Sequence, residues 1–323
     1  MPAVLAPPAA ADIAADWYRQ QTGLAASAAR LAARWWRTMD PADMDGYFRA
    51  RARLLVGTVT TVQQLAAEGA DSYVTRALAA LGTDPDPAGS LDPGAFAGHA
   101  ADGRALESLL YQPVVGTKTL IGQGVPVVDA WERGLRELLR ITNSEIADAG
   151  RAAVGVRIAS DRACTGYVRV CSATACPRCA ILAGRVYAFN AGFRRHRRCH
   201  CIHMPSPRGR RSTVPGPREL FDRLGREQQD RVWGEANAAA IRAGADPAKL
   251  VNASRGTYTA DVFGRQLLAT HEGRKQAERY LRKYNRAIPW GAGPRLTPEA
   301  IYKIAENRAD LIHMLRRYGY LTG

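Results

Sequence analysis

Apolar residues recur along the first third of the chain at helical intervals. Ile13, Trp17, Leu24, Leu31 and Trp35 follow one another at steps of four and seven, with alanines between them. This predicts one apolar face of a helix ending near Met39. Asp40-Pro41 then reads as an N-cap followed by proline at the first helical position. Tyr47, Phe48, Leu54, Leu55, Val59, Val62 and Leu65 predict a second helix running toward Leu81.

The pattern breaks at GTDPDPAGSLDPGAF, and residues 82–102 read as a Pro/Gly/Asp-rich linker. Shorter helical pieces are expected around Leu106–Tyr111 and Thr119–Ile121. A longer helix carries Val127, Trp131, Leu135, Leu138, Leu139 and Ile146. The plain meaning of all these stripes is helix packing, and none has the form of a cofactor site.

Residues 164–205 change character. Cysteine, arginine, glycine and β-branched residues replace the alanine-rich pattern, and short strands are expected at Tyr167–Val170 and Arg185–Phe189. SPRGRRSTVPGPR (206–218) reads as an exposed basic linker. Helix returns at Glu219–Leu224 and at Asp230–Ala243, with Gly244 closing the latter. A last helix is expected to start at Thr297 as N-cap, with Pro298 at its first position, and to close near Gly319. No internal repeat is visible, and no heptad run is long enough for a coiled coil.

Composition adds bounds. With 323 residues, two or three compact domains are expected, and a composition 46% hydrophobic can bury a real core. The start, MPAVLAPPAAAD, lacks the basic region of a signal peptide, and no stretch has the apolar length of a membrane span. A reducing cytoplasm is therefore expected, and the six cysteines read first as thiols or metal ligands.

The net charge of +15 is uneven. Residues 1–161 carry 15 Lys/Arg against 18 Asp/Glu, whereas residues 162–218 carry 12 arginines and no acid. Such a segment attracts polyanions. The cluster Arg194, Arg195, Arg197, Arg198, Arg208, Arg210 and Arg211 offers guanidinium forks for phosphate contact without base reading. The competing explanation is a solvated, solubilising loop.

All six cysteines fall in that same basic segment. Cys176-Pro-Arg-Cys179 is followed, after nineteen residues, by Cys199-His-Cys201. Two cysteine pairs of this kind suit a tetrahedral structural zinc site with every position filled by protein. Cys176, Cys179, Cys199 and Cys201 form the first ligand set. His196 is the alternative fourth ligand in place of Cys201. Cys164 and Cys171 are left as buried thiols. A zinc ion would stabilise a segment whose own apolar content is small.

The residues C-P-R-C-A-I-L-A-G-R-V-Y, then F-R-R-H-R-R-C-H-C, then Pro205, resemble the motif of the phage Mu F-like minor head proteins. In that motif C-x-x-C-x-x-L-x-G-x-x-(F/Y) is followed by His-Pro-x-Cys-x-Cys and a proline. Cys176, Cys179, Leu182, Gly184, Tyr187, His196, Cys199, Cys201 and Pro205 match it. Arg197 stands where the motif has proline, and His200 where it has arginine. Residues 228–256 and 295–321 also resemble head proteins of the actinobacteriophage type. The resemblance implies a minor capsid or head morphogenesis protein, a virion component at the portal or head interior, acting in assembly or DNA delivery. Its implied partners are the portal protein, the major capsid or scaffold protein, and double-stranded DNA bound without sequence preference.

Two other functions compete. A capsid maturation protease would need a nucleophile and base in a recognisable arrangement, and no G-x-S-x-G or H-E-x-x-H occurs. His271 and His313 stand alone in sequence. A zinc-containing nucleic-acid-binding protein would spread charge along one surface, whereas the near-neutral N-terminal helices are expected to carry no basic face.

The resulting expectation is a mostly α, multi-segment helical protein with a small zinc-stapled α+β module, and not an enzyme. Residues 1–160 form a helical domain, 161–206 the Cys/His module, 207–215 a basic linker, and 216–323 a helical C-terminal region. Trp17, Trp35, Trp36 and Trp131 are the expected anchors by which the helical domain packs on the portal or neighbouring subunits. The expected location is the virion, with host cytoplasm during assembly and no membrane.

Overall fold

A computed structural model describes residues 8–171, 175–191, 201–209, 212, 214–262, 264–271 and 293–321. Over these residues the chain is mostly helical, with two small antiparallel sheets. By contacts it divides into two compact units. The first holds the described residues within Ala3–Val170 and Val186–Val214, and the second those within Cys171–Arg185 and Pro215–Gly323. The span 161–206, expected as one module, is thus shared between them.

In the first unit, α1 (Pro8–Arg37), α2 (Met44–Glu68), α3 (Ala70–Ala80) and α4 (Leu106–Gly122) all pack on the long α5 (Val127–Ala159). Ala25, Ala28 and Ala32 of α1 are buried, and their small side chains admit close helix approach. Leu55, Leu110, Leu138 and Ile146 fill the core.

Several expected boundaries move. Asp40 accepts the amide of Ala42 in a turn, and the N-cap of α2 is Asp43, whose carboxylate accepts the amide of Gly46 at 2.9 Å. The helix expected to run to Leu81 breaks at Gly69 into α2 and α3. The two pieces around Leu106 and Thr119 are one helix, α4, with a buried Pro113 inside it.

The tryptophans are corrected as well. Trp17, Trp35 and Trp36 are buried and Trp131 half-buried, with Trp36 against Trp131 at 5.0 Å between ring centroids. Trp35 Nε1 donates to the carbonyl of Arg51 at 3.2 Å. They build the core and are not exposed anchors. Gly134 shows how tightly: a Cβ there would lie 2.1 Å from Thr117 Oγ1 and 2.5 Å from the Trp36 ring.

Residues 82–102 are not a loose linker. Gln63 of α2 clamps the segment, accepting the amide of Gly98 and donating to the carbonyl of His99, both at 3.0 Å. Glu145 of α5 accepts the amide of Ala101 at 2.8 Å. Asp161, just past α5, accepts the amide of Asp86 at 3.1 Å. Three side chains distant in sequence thus satisfy loop amides that would otherwise be orphaned.

The first unit also carries a sheet of order β2-β1-β3, formed by β1 (Cys164–Val170), β2 (Val186–Ala188) and β3 (Ile202–Pro207). The first two strands were expected. The third begins just after the cysteine pair and takes in Ser206 and Pro207, both buried, which were expected to be exposed linker.

In the second unit, a short helix α6 (Pro177–Ala180) belongs with α7 (Pro217–Asp222), α8 (Arg226–Trp233), α9 (Glu235–Arg242) and α10 (Pro247–Ala253). The helix expected over 230–243 is broken at Gly234. The hairpin of β4 (Thr257–Val262) and β5 (Arg265–Thr270) was not expected, and β6 (Arg295–Leu296) completes its sheet. Thr297 caps α11 (Pro298–Ile304) as expected, accepting the amide of Ala300 at 3.2 Å, but a separate α12 (Arg308–Arg317) follows. Arg295 fastens the end of the chain: its Nε donates to the carbonyl of Tyr318 at 2.9 Å, and its guanidinium lies over the Tyr320 ring.

Candidate metal and polyanion-binding site

Cys176 has extended backbone and caps α6, with Pro177 at the first helical position. The amides of Cys179 and Ala180 both donate to the Cys176 carbonyl at 3.0 Å. One helical turn therefore separates the two cysteines, and the i, i+3 relation sets them on one side of that turn. A second turn follows as the Leu182 amide donates to the Cys179 carbonyl at 2.9 Å. It ends at Gly184 with φ +70°, a left-handed conformation that strains any residue with a Cβ. Cys179 is buried and Cys176 half-buried. This local geometry suits two thiolates on one metal ion.

The Cys171 thiol donates to the Cys179 carbonyl at 3.2 Å. Cys171 is buried as expected, and it braces the chain behind the C-x-x-C turn. Cys164 is also buried, and burial pushes its thiol up to about 12. It stays protonated near neutrality, which suits a packing residue and not a ligand or nucleophile.

Cys201 is buried immediately before β3. Cys199, the alternative ligand His196, and Arg194, Arg195, Arg197, Arg198, Arg210 and Arg211 lie outside the described residues. Among the described residues, no group of three or more His, Cys, Asp or Glu side chains is arranged to hold a metal ion. His203 is part of the packing of its sheet. Its ring stacks on Tyr167 at 4.4 Å between centroids, and its carbonyl accepts the Tyr73 hydroxyl at 2.9 Å. His271 stacks on Tyr258 at 4.2 Å.

Of the arginine cluster, Arg208 is described. It is exposed, and its Nε and Nη2 both donate to the Arg162 carbonyl at 3.3 Å. Arg169, another arginine of the acid-free segment, is buried on β1 opposite His203. The segment's charge is therefore not all surface charge.

Sequence reasoning missed the polar side chains that shape the helical unit, above all Gln63, Glu145 and the Arg157–Asp161 pair. Each is a polar residue on an otherwise apolar helix face, a signal that was present but blends with ordinary helix polarity.

A mostly helical chain with small antiparallel sheets and a cysteine-bearing turn is a frame that many structural proteins share. Within it, residues 119–225, about a third of the chain, match the family model described as VG15 protein, a phage virion-gene family. The match points to a phage protein and to a virion location. The matched stretch contains every candidate zinc ligand and the whole arginine cluster. No curated protein and no solved structure matches the chain. Among the described residues, no helix is long and apolar enough to cross a membrane.

Proposed function

We propose that this chain is a structural minor protein of a tailed-phage head, placed at the portal or head interior and acting in assembly or DNA delivery. The observation that carries the reading is the virion-family match over residues 119–225, which coincides with the C-x-x-C turn and the basic segment. Cys176, Cys179, Cys199 and Cys201, or His196 for the last of these, hold a zinc ion that fixes shape and performs no chemistry. Arg194, Arg195, Arg197, Arg198, Arg208, Arg210 and Arg211 make sequence-independent contacts to packaged double-stranded DNA. The portal is the partner of the helical unit, with major capsid or scaffold protein as further contacts.

The test is composition of the particle. Mass spectrometry of purified virions from a phage encoding this chain should find it at low copy, and mild cross-linking should join it to the portal. Its absence from mature and immature heads alike would overturn the reading.

A further inference from the structure

The outer face of the α1–α2 pair carries leucines that the core does not use. Leu54 is 64% exposed, and Leu31 and Leu65 are each 41% exposed. Leu24 of α1 is half-buried, packed in part against the core and in part open to this face. The inner faces of both helices are taken by α5. The two helices run antiparallel in a known register: Trp35 is level with Arg51, and Gln21 is level with Ala66, through the hydrogen bonds that join them. Leu31 therefore stands about one residue from the level of Leu54, and Leu24 about two residues from the level of Leu65.

The α2 side of this seam reads Arg51, Leu54, Thr58, Thr61, Leu65, Glu68, with spacings of three and four in alternation. Such alternation is the knobs-and-holes period of helices that pack side by side. Here it is also a palindrome of charge. Turned end for end, the row sets Arg51 against Glu68, Leu54 against Leu65, and Thr58 against Thr61. On α1, Leu24 and Leu31 exchange places under the same operation. The midpoint of Leu24 and Leu31 falls level with the midpoint of Thr58 and Thr61 to within about one residue, or about 1.5 Å. One two-fold axis therefore serves both helices.

We propose that this face is a two-fold interface with a second copy of the chain, α1 lying on α1 and α2 on α2, antiparallel. An interface of this kind must be self-complementary, because each residue and its opposite number are exchanged by the axis. The α2 row meets that demand in both charge and apolar content, and the α1 leucines meet it in apolar content. Arg51 and Glu68 are exposed, and neither forms an ion pair among the described residues. Arg51 instead lies over the Tyr47 ring at 5.4 Å. Of the polar groups along the seam, Thr58 donates to the Leu54 carbonyl and Ser27 accepts from Arg30, both at 2.8 Å. Covering these two orphans neither. The inference holds whatever the assembly to which the chain attaches.

The full chain should sediment as a reversible dimer across the micromolar range. Arg51→Glu alone sets glutamate against Glu68, and Glu68→Arg alone sets arginine against Arg51, each twice per dimer. Either should weaken self-association about tenfold, two rim pairs being turned from attraction to repulsion. Mixed in equal amounts, the two variants should associate with wild-type strength, because every 51–68 contact is then oppositely charged. Leu54→Glu should give a monomer with an unchanged melting temperature, since its side chain leaves the fold's own core intact. A wild-type chain that stays monomeric through this range would overturn the proposal. So would a dimer that Leu54→Glu leaves intact, or a mixture no tighter than its components.

Discussion

Arg157 Nη1 donates to Asp161 Oδ2 at 2.6 Å, with both side chains sealed from solvent at the end of α5. Arg157 Nε also donates to Asp71 at 2.5 Å, but that carboxylate is 60% exposed. Asp161 does more than balance charge, because its other oxygen accepts the amides of Asp86 and Ala163 at 3.1 and 2.9 Å. Asp161→Asn should cost about 3 kcal/mol, the scale for breaking a buried pair and leaving its partner behind. Asp71→Asn should cost about 0.5 kcal/mol, as for an exposed pair. Urea unfolding at pH 7 distinguishes them, and equal costs would refute the division of roles.

Two carboxylates of this unit respond to pH in opposite senses. Burial pushes the Asp161 carboxyl up, but Arg157 and the two amides outweigh it and hold the group below the usual aspartate range. Its contribution is full above the ordinary value of 3.8 and is lost as pH falls through the depressed folded value. Burial also pushes Glu145 up, with Asp148 and Asp102 adding to the rise, while the Ala101 amide and Arg104 oppose it. Stability from Glu145 is full below 4.5 and is lost as pH rises through the raised folded value. Glu145→Gln keeps an acceptor for the Ala101 amide and removes the buried charge. Its melting temperature should exceed the wild type's at pH 7 and match it below the carboxylate range. A variant less stable than wild type at pH 7 but equal to it below the carboxylate range would show that the ionised form is required.

What the sequence could show followed from distance along the chain. The helices α1, α2 and α5 were legible because a buried helix face repeats every three or four residues, although Leu31, Leu54, Leu65 and Val127 of the predicted stripes are exposed. The cap at Thr297-Pro298 was legible because its partners lie within one turn. The fate of residues 82–102 was not, since Gln63, Glu145 and Asp161 reach them from 35 to 75 residues away. Trp17, Trp35 and Trp36 were expected as interface anchors, though Trp17 and Trp35 also stood in the predicted packing face, because an aromatic on a helix looks the same whether its neighbour is its own chain or another. Of the cysteine site, the turn at Cys176 and Cys179 was legible from spacing, as were the buried Cys164 and Cys171.

Gly134 marks a close approach of α5 to α1 and α4. An added Cβ would press on Thr117 and on the Trp36 ring, both fully buried, so neither can swing aside. Gly134→Ala should therefore destabilise by about 3 kcal/mol, the upper range for overpacking. This is the reverse of the gain alanine gives at an open helix position. The near-UV circular dichroism of the folded variant should change as Trp36 shifts against Trp131. A stability equal to wild type would mean that α5 moves freely at this point.

The zinc reading makes the sharpest demand on the chain. Cys176 and Cys179 lie one turn apart, and the proposed second pair is Cys199 and Cys201. Purified protein should carry about one zinc ion per chain by elemental analysis. Cys176→Ser and Cys199→Ser should each lose the metal and lower the melting temperature, because the free energy of a structural zinc is folding free energy. Chelation of the wild type should reproduce that loss, and returned zinc should reverse it. The fourth ligand follows from comparing Cys201→Ser with His196→Ala: the substitution that retains stoichiometric metal removed a bystander. Cys164→Ser should retain the metal fully, since the buried, protonated thiol takes no part. A metal-free wild type that melts as the metal-loaded one does would leave the four cysteines without a common ion and remove the zinc from the proposed function.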